Sequence, residues 1–239
     1  IEELIEEINV QEIDHLLEIG PGKGAMTSLL LEKCESLTAI EIDKDLIKFL
    51  KKAYGDRKNF NLIEKDILLY DPKELVRVNK LIGNIPYNIS TPIIEWIIDN
   101  KSSFDEIFLM LQKEFGERCV AQPNTKSYGR LSIFVQCFFD VTVIREVDKS
   151  SFDPSPKVQS IFLKLIPKVS DMTPNSILMK NLSTLTREAF SKRRKLITNS
   201  LKSFFTEEDL VNLGIERKSR PENLSVETYI KLAKNIQSG

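Results

Sequence analysis

Between His15 and Leu111 the chain alternates short apolar runs with segments of helical spacing, and this rhythm restricts the fold more than any other feature. HLLEI, LTAIEI, NLIEKD, KLIGN and EIFLMLQ are each of strand length. Between them, DLIKFLKKAYG sets Leu46, Ile47, Phe49, Leu50 and Ala53 to one side, with Gly55 as its stop. A second helix is expected from Thr91 as N-cap, with Pro92 in the first helical position, into IIEWIIDN. Repetition of strand, helix and strand predicts a parallel sheet wrapped by helices. Right-handed crossovers then bring the strands' carboxyl ends to one edge, where ligands bind in such sheets. Two later runs, RLSIFVQCFFDVTVIREV and VQSIFLKLIP, read as a long antiparallel pair closing the sheet. Beyond PKVSDMTP, the expected linker, every segment reads as helix, with Thr206 a start signal and Gly214 a stop. The expected division is a sheet domain over 1–170 and an all-helical domain over 171–239.

Several classes of chemistry are excluded at once. One histidine, His15, leaves no material for His-based triads or multi-His metal sites, and no metal is expected. Cys34, Cys119 and Cys137 are widely spaced, form no C-x-x-C pair and read as small apolar side chains in a reducing cytoplasm. The start, IEELIEEINV, is acidic and amphipathic, unlike a secretory signal, and no apolar stretch is long enough for a membrane span. Lys and Arg number 34 against 35 Asp and Glu, so a polyanionic partner must be met by a local patch.

Four strand ends carry the candidate site. The first run opens into EIGPGKGAMT, where Gly20, Gly22 and Gly24 permit a tight turn and close ligand approach to a helix N-terminus. The second ends on Glu41, 21 residues after Gly20, placed to accept hydrogen bonds from ribose hydroxyls. The third ends in EKD, where Asp66 suits either an adenine amino group or a local turn. The fourth ends in GNIPYN. An aromatic amine such as adenine N6 is a poor nucleophile because its lone pair is delocalised into the ring. The Asn84 side-chain oxygen and the Ile85 carbonyl can draw its hydrogens out of plane and localise that pair. Pro86 fixes the loop, and Tyr87 offers a stacking face. A nicotinamide dehydrogenase is the weaker reading, because position 25 is Ala rather than the last Gly of G-x-G-x-x-G and NIPY has no role there.

These elements together resemble class I S-adenosylmethionine-dependent methyltransferases that act on exocyclic amines. LEIGPGKGAMT, GNIPYNIST, MLQKEFGER, YGRLSIFVQ, FDPSPKVQS, LTREAFSKRRKLITNSL and RPENLSVETY narrow the resemblance to the rRNA adenine N6-dimethyltransferases, from Leu17 to about Tyr229. The resemblance implies a Rossmann-like, mostly parallel seven-stranded sheet with a small helical domain, and S-adenosylmethionine as cofactor. It implies a cofactor set of Gly20, Gly22, Glu41, Ile42, Asp66, Ile67 and Asn84. Within it Gly20 and its loop take the methionine end, Glu41 the ribose and Asp66 the adenine. The target adenine would be held by Asn84, Pro86 and Tyr87, with Phe152 as a second aromatic wall. Family members usually carry a Q-N-F-L-type segment ahead of the first helix that covers the cofactor. The chain begins at IEELIEE, so it reads as a shortened form expected to bind the cofactor weakly.

The tail resembles the small-subunit branch more than the macrolide-resistance branch. The implied reaction is N6-dimethylation of two adjacent adenines in the 3′-terminal hairpin of 16S rRNA in an immature 30S particle, by a cytoplasmic monomer. Large-subunit rRNA methylation and a mainly non-catalytic assembly role stand as alternatives. For the RNA, the sequence offers Arg187, Lys192, Arg193, Arg194 and Lys195, with Lys202 beyond and only Glu188 against them. Lys126, Arg130 and Lys157 are secondary candidates.

Overall fold

The computed structural model describes residues 1–75, 78–149, 158–169 and 176–236, apart from the Tyr87 side chain. All five expected parallel-type runs are strands: β1 (His15–Ile19), β2 (Ser36–Glu41), β3 (Phe60–Glu64), β4 (Lys80–Asn84) and β5 (Glu106–Gln112). With β6 (Phe139–Val147) and β7 (Ser160–Pro167) they form one sheet in the order β3-β2-β1-β4-β5-β7-β6. The first five pair in parallel, and β7 runs antiparallel to β5, with Met110 opposite Phe162. Strand order reverses at β1 and β4, where Ile19 sits beside Gly83. This is the topological switch point at which open sheets bind ligands.

Both sheet faces are covered. Leu16, Leu37, Ile82 and Phe108 share a core with Leu4, Ile5 and Ile8 of α1 (Glu2–Ile8) and Leu30 and Leu31 of α2 (Thr27–Leu31). Leu17, Leu81 and Ile107, one residue out of phase, are equally buried on the opposite face. That double burial is why the strands read as unbroken apolar runs. Helix α3 (Lys44–Tyr54) is capped by Asp43, whose carboxylate accepts from the Asp45 and Leu46 amides. It buries Ile47 and Leu50 but leaves Phe49 and Ala53 exposed, so its inner face is narrower than expected. Helix α4 (Ser90–Asp99) begins one residue before Thr91, with no side-chain cap. Pro92 is tolerated because a helix's first turn has no use for its missing N–H.

The amino-terminal rim of the sheet holds a buried ionic knot. Lys80 Nζ lies 2.7 Å from Asp14 and 3.5 Å from Glu106, and donates to the Asn9 carbonyl at 3.0 Å. Burial works to raise the Asp14 carboxyl, but the Gln11 amide, Lys80 and Asn79 outweigh it and hold it low. His15 belongs to this rim, its Nδ1 2.7 Å from Ser36 Oγ.

One expectation fails between Gly129 and Val147. The first half of the presumed strand is a helix, α6 (Arg130–Phe138), and only Phe139–Val147 is extended. The helix start explains why: Ser132 Oγ accepts from the Gly129 amide at 3.1 Å and donates to the Arg118 carbonyl at 2.6 Å. Gln136, apparently an interruption, donates to the Cys119 and Ala121 carbonyls at the end of α5 (Lys113–Val120).

Contacts within the chain define two units, 1–116 with 140–167, and 117–139 with 168–239. The single boundary expected at 170 therefore differs from this grouping, which places α6 with the tail. The second unit contains α7 (Ile177–Ser191), α8 (Ile197–Ser200), α9 (Glu207–Asn212) and α10 (Val226–Lys234). Thr206 and Asp209 form a reciprocal cap on α9, and Gly214 follows it at φ +85°. Tyr128 and Tyr229 are fully buried, donating to the Leu224 and Pro221 carbonyls at 2.9 Å each. The three cysteines are buried, and burial pushes the Cys34 thiol up to about 11 and the Cys119 and Cys137 thiols up to about 12.

Candidate active site

At the carboxyl rim of β1 the chain turns through Gly20, Gly22 and Gly24 at φ +63°, +59° and +76°. A side chain is strained in all three, and at Gly24 an added Cβ would stand 2.6 Å from the Tyr54 ring. Tyr54 Oη donates to the Gly24 carbonyl at 3.2 Å, fixing the loop from α3. A Cβ on Gly20 would lie 3.8 Å from the Asn84 carbonyl oxygen, which places the glycine turn directly beside the NIPY loop.

Glu41 closes β2, buried, with its Oε1 accepting from the Ile42 and Asp43 amides at 2.9 and 3.0 Å. Those two bonds fix the carboxylate, while Oε2 has no hydrogen bond to a described residue. Ile42 is 65% exposed, an apolar surface next to that acid. Beyond β3, the Asp66 side chain caps a short turn by accepting from the Leu68 amide at 3.0 Å. Ile67 is buried within that turn, so its side chain belongs to the core.

Sequence reasoning passed over Glu18, the acid inside β1. It is buried, accepts from Thr27 Oγ1 at 2.7 Å, and faces Glu41 electrostatically. Burial pushes its carboxyl up to about 7; the Thr27 hydroxyl opposes the rise and Glu41 adds to it. The signal was an acid flanked by Leu17 and Ile19 immediately before the glycines, where no solvent-seeking residue belongs. Two carboxyls beside a glycine turn suit a ligand that is cationic at one end and carries hydroxyls at the other. S-Adenosylmethionine, with its sulfonium, ammonium and ribose, matches that donor set.

Asn84 ends β4 opposite Met110 and is exposed; the Ile85 amide donates to the Met110 carbonyl at 3.0 Å while its side chain is buried. The backbone of the loop is thus anchored at Ile85, and the Asn84 amide remains at the rim. Pro86 is exposed, and its carbonyl accepts from the Ile89 amide. The Tyr87 side chain and Phe152 lie outside the described residues, as does Lys157. The rim therefore brings together Gly20, Gly22, Glu41, Asp66 and Asn84 on adjacent strands β3, β2, β1 and β4.

In the second unit, Arg187 is exposed on α7, and Lys192, Arg194 and Lys195 are exposed on the turn between α7 and α8. No described residue pairs with those three turn cations. Arg193 differs: it donates to the Lys126 and Thr125 carbonyls at 2.9 and 3.1 Å, with Glu222 Oε2 3.8 Å from its Nε.

The ribosomal RNA adenine dimethylase family model matches residues 1–238. A Legionella pneumophila protein named ribosomal RNA small subunit methyltransferase A is 40% identical over the whole chain and 93% of its own length. A Coxiella burnetii protein of the same name is 37% identical, covering 98% of this chain and 91% of its own. A crystal structure of a dimethyladenosine transferase from Plasmodium falciparum superposes with a TM-score of 0.81 at 30% identity, covering 97% of this chain and 92% of that one. The 23S rRNA methyltransferase ErmE shares the fold, with a TM-score of 0.75 at 22% identity over 98% and 95% of the two chains.

Proposed function

Because the chain belongs to the ribosomal RNA adenine dimethylase family, we propose that it transfers methyl groups from S-adenosylmethionine to N6 of two adjacent adenines in the 3′-terminal hairpin of small-subunit rRNA. The relatives named for the small subunit favour that RNA over the large-subunit alternative. We place the reaction in the cytoplasm, on an immature 30S particle. The observation that carries the reading is the nearness of two loops: the glycine turn lies against the backbone of Asn84, whose amide stands at the rim.

When bound, S-adenosylmethionine supplies an electrophilic methyl on a sulfonium. The chain's own part is to hold and orient. Glu41, pinned by two amides, presents its second oxygen to the ribose. Glu18 and Glu41 would set a negative field at the methionine end, and Asp66 would face the adenine, with Ile67 offering only its backbone. Asn84 Oδ1 and the Ile85 carbonyl accept the N6 hydrogens of the target base. The lone pair then points out of the ring plane, toward the methyl. Held by the glycine turn, Glu18 and Glu41, the bound sulfonium would supply the methyl and leave as a neutral thioether, and the amine's proton would pass to water. The base must leave its stack to enter, at a cost of a few kcal/mol. Tyr87 and Phe152 are the aromatic residues proposed to offset that, at about 1–3 kcal/mol per base. Rate enhancement then comes from positioning and fixed dipoles. Exposed Arg187, Lys192, Arg194 and Lys195 supply phosphate contacts.

The test is Asn84→Ala, followed by tritium transfer from labelled cofactor to immature small subunits and by calorimetry with the cofactor. Methyl transfer is expected to fall by about 10²–10³, as for loss of one oriented polar group, with cofactor affinity largely kept. Near-normal turnover would overturn the assignment.

A further inference from the structure

Arg193 lies in the middle of the basic turn, half-buried, with its guanidinium bonded to protein. The fork carries five N–H donors. Two of its nitrogens donate to consecutive backbone carbonyls, Thr125 and Lys126, that lie 68 and 67 positions away in sequence. A carboxylate, Glu222, stands 3.8 Å from its Nε, with an Oε2 that is buried and accepts no hydrogen bond among the described residues. The charge that matters for a polyanion is therefore partly cancelled where it sits.

The same spot joins three stretches of chain. Asn124 donates its amide to the Glu222 carbonyl at 2.8 Å and accepts at Oδ1 from Asn223 at 2.7 Å. The Ile197 amide donates to the Ser219 carbonyl at 2.8 Å. Asn124 adopts φ +70°, a left-handed conformation that asparagine tolerates better than most non-glycine residues. Lys126, on this loop, is exposed, as are Lys192, Arg194 and Lys195 on the turn.

We propose that Arg193 is a positioning residue: it meets no phosphate itself but pins the Thr125–Lys126 backbone to the turn, so that Lys126 joins Lys192, Arg194 and Lys195 in one cationic surface for RNA. The proposal rests on the reading of this unit as RNA-binding. Lysine cannot replace arginine here, because a single ammonium does not span two carbonyls in one plane as the fork does.

The experiment is a set of salt titrations of binding to an rRNA hairpin. Lys126→Gln is expected to lower the slope of log affinity against log salt by about 0.7–0.9, one phosphate contact. Arg193→Lys, which keeps its charge, is expected to lower it by the same amount, and the double variant by no more than either. In the free protein, Arg193→Lys is expected to speed hydrogen exchange at the Asn124 and Tyr128 amides, both bonded within this loop cluster. A full slope in Arg193→Lys, an additive double variant, or unchanged exchange at Asn124 overturns the proposal. A triple Lys192→Gln, Arg194→Gln, Lys195→Gln variant separates the two levels. If it leaves the slope untouched, the RNA reading of the unit has failed; if it flattens the slope while Lys126→Gln does not, only the role of Arg193 has failed.

Discussion

Replacing Glu18 by Gln should stabilise the ligand-free protein in a pH-dependent way. Glu18 is 3% exposed, and burial lifts its carboxyl from the ordinary 4.5 to about 7. Between those values the folded form holds a proton that the unfolded form has released. Stability therefore falls as pH rises through the window, and the loss is complete above about pH 7. Its size is about 3 kcal/mol, at the usual exchange between pKa and free energy. Gln has no proton to lose and keeps an oxygen for the Thr27 hydroxyl. In urea unfolding of both proteins without cofactor, the advantage of Glu18→Gln should grow from about 1 kcal/mol near pH 5 to about 3 kcal/mol near pH 8. The same variant should bind S-adenosylmethionine more weakly above neutrality, because a charge facing the cation is gone. An advantage that does not change with pH would refute the reasoning, and so would one that shrinks as pH rises.

At the other rim, Lys80→Met should cost about 3–5 kcal/mol in urea unfolding at neutral pH, because it strands the buried Asp14 carboxylate. Adding Asp14→Asn should recover part of that. Gly83→Ala places a Cβ 2.7 Å from Ile85 Cδ1 and 3.4 Å from Ile19 Cβ. It should destabilise by about 1–3 kcal/mol and lower kcat more than cofactor affinity, since the displaced residue carries a carbonyl proposed to orient N6.

Much of this was legible because β1, β2, β4 and β5 are buried on both faces and so read as unbroken apolar runs. Glu41 and Asn84 could be placed at strand ends for the same reason. The misread stretch RLSIFVQCF carries apolar residues that satisfy period 2 and period 3.6 alike, and only the Gly129-x-x-Ser132 start decides between them. Glu18 lies inside the strand rather than at its end, and its partner Thr27 lies beyond the glycine turn, so no strand-end pattern marks it. Arg193 was counted as surface charge because its partners are remote in sequence, and no local pattern announces a hydrogen bond across 67 positions.

The assignment of 117–139 to the tail's unit bears on how the polypeptide emerges during synthesis. Tyr128, Ile133, Val135 and Phe138 are wholly enclosed in the finished protein. Tyr128 finds the Leu224 carbonyl 96 positions later. At ordinary elongation rates that interval is about 5–20 seconds, during which an amphipathic helix waits with its greasy side unmatched. Chaperone capture of nascent chains should peak in that window and end when α10 clears the exit tunnel.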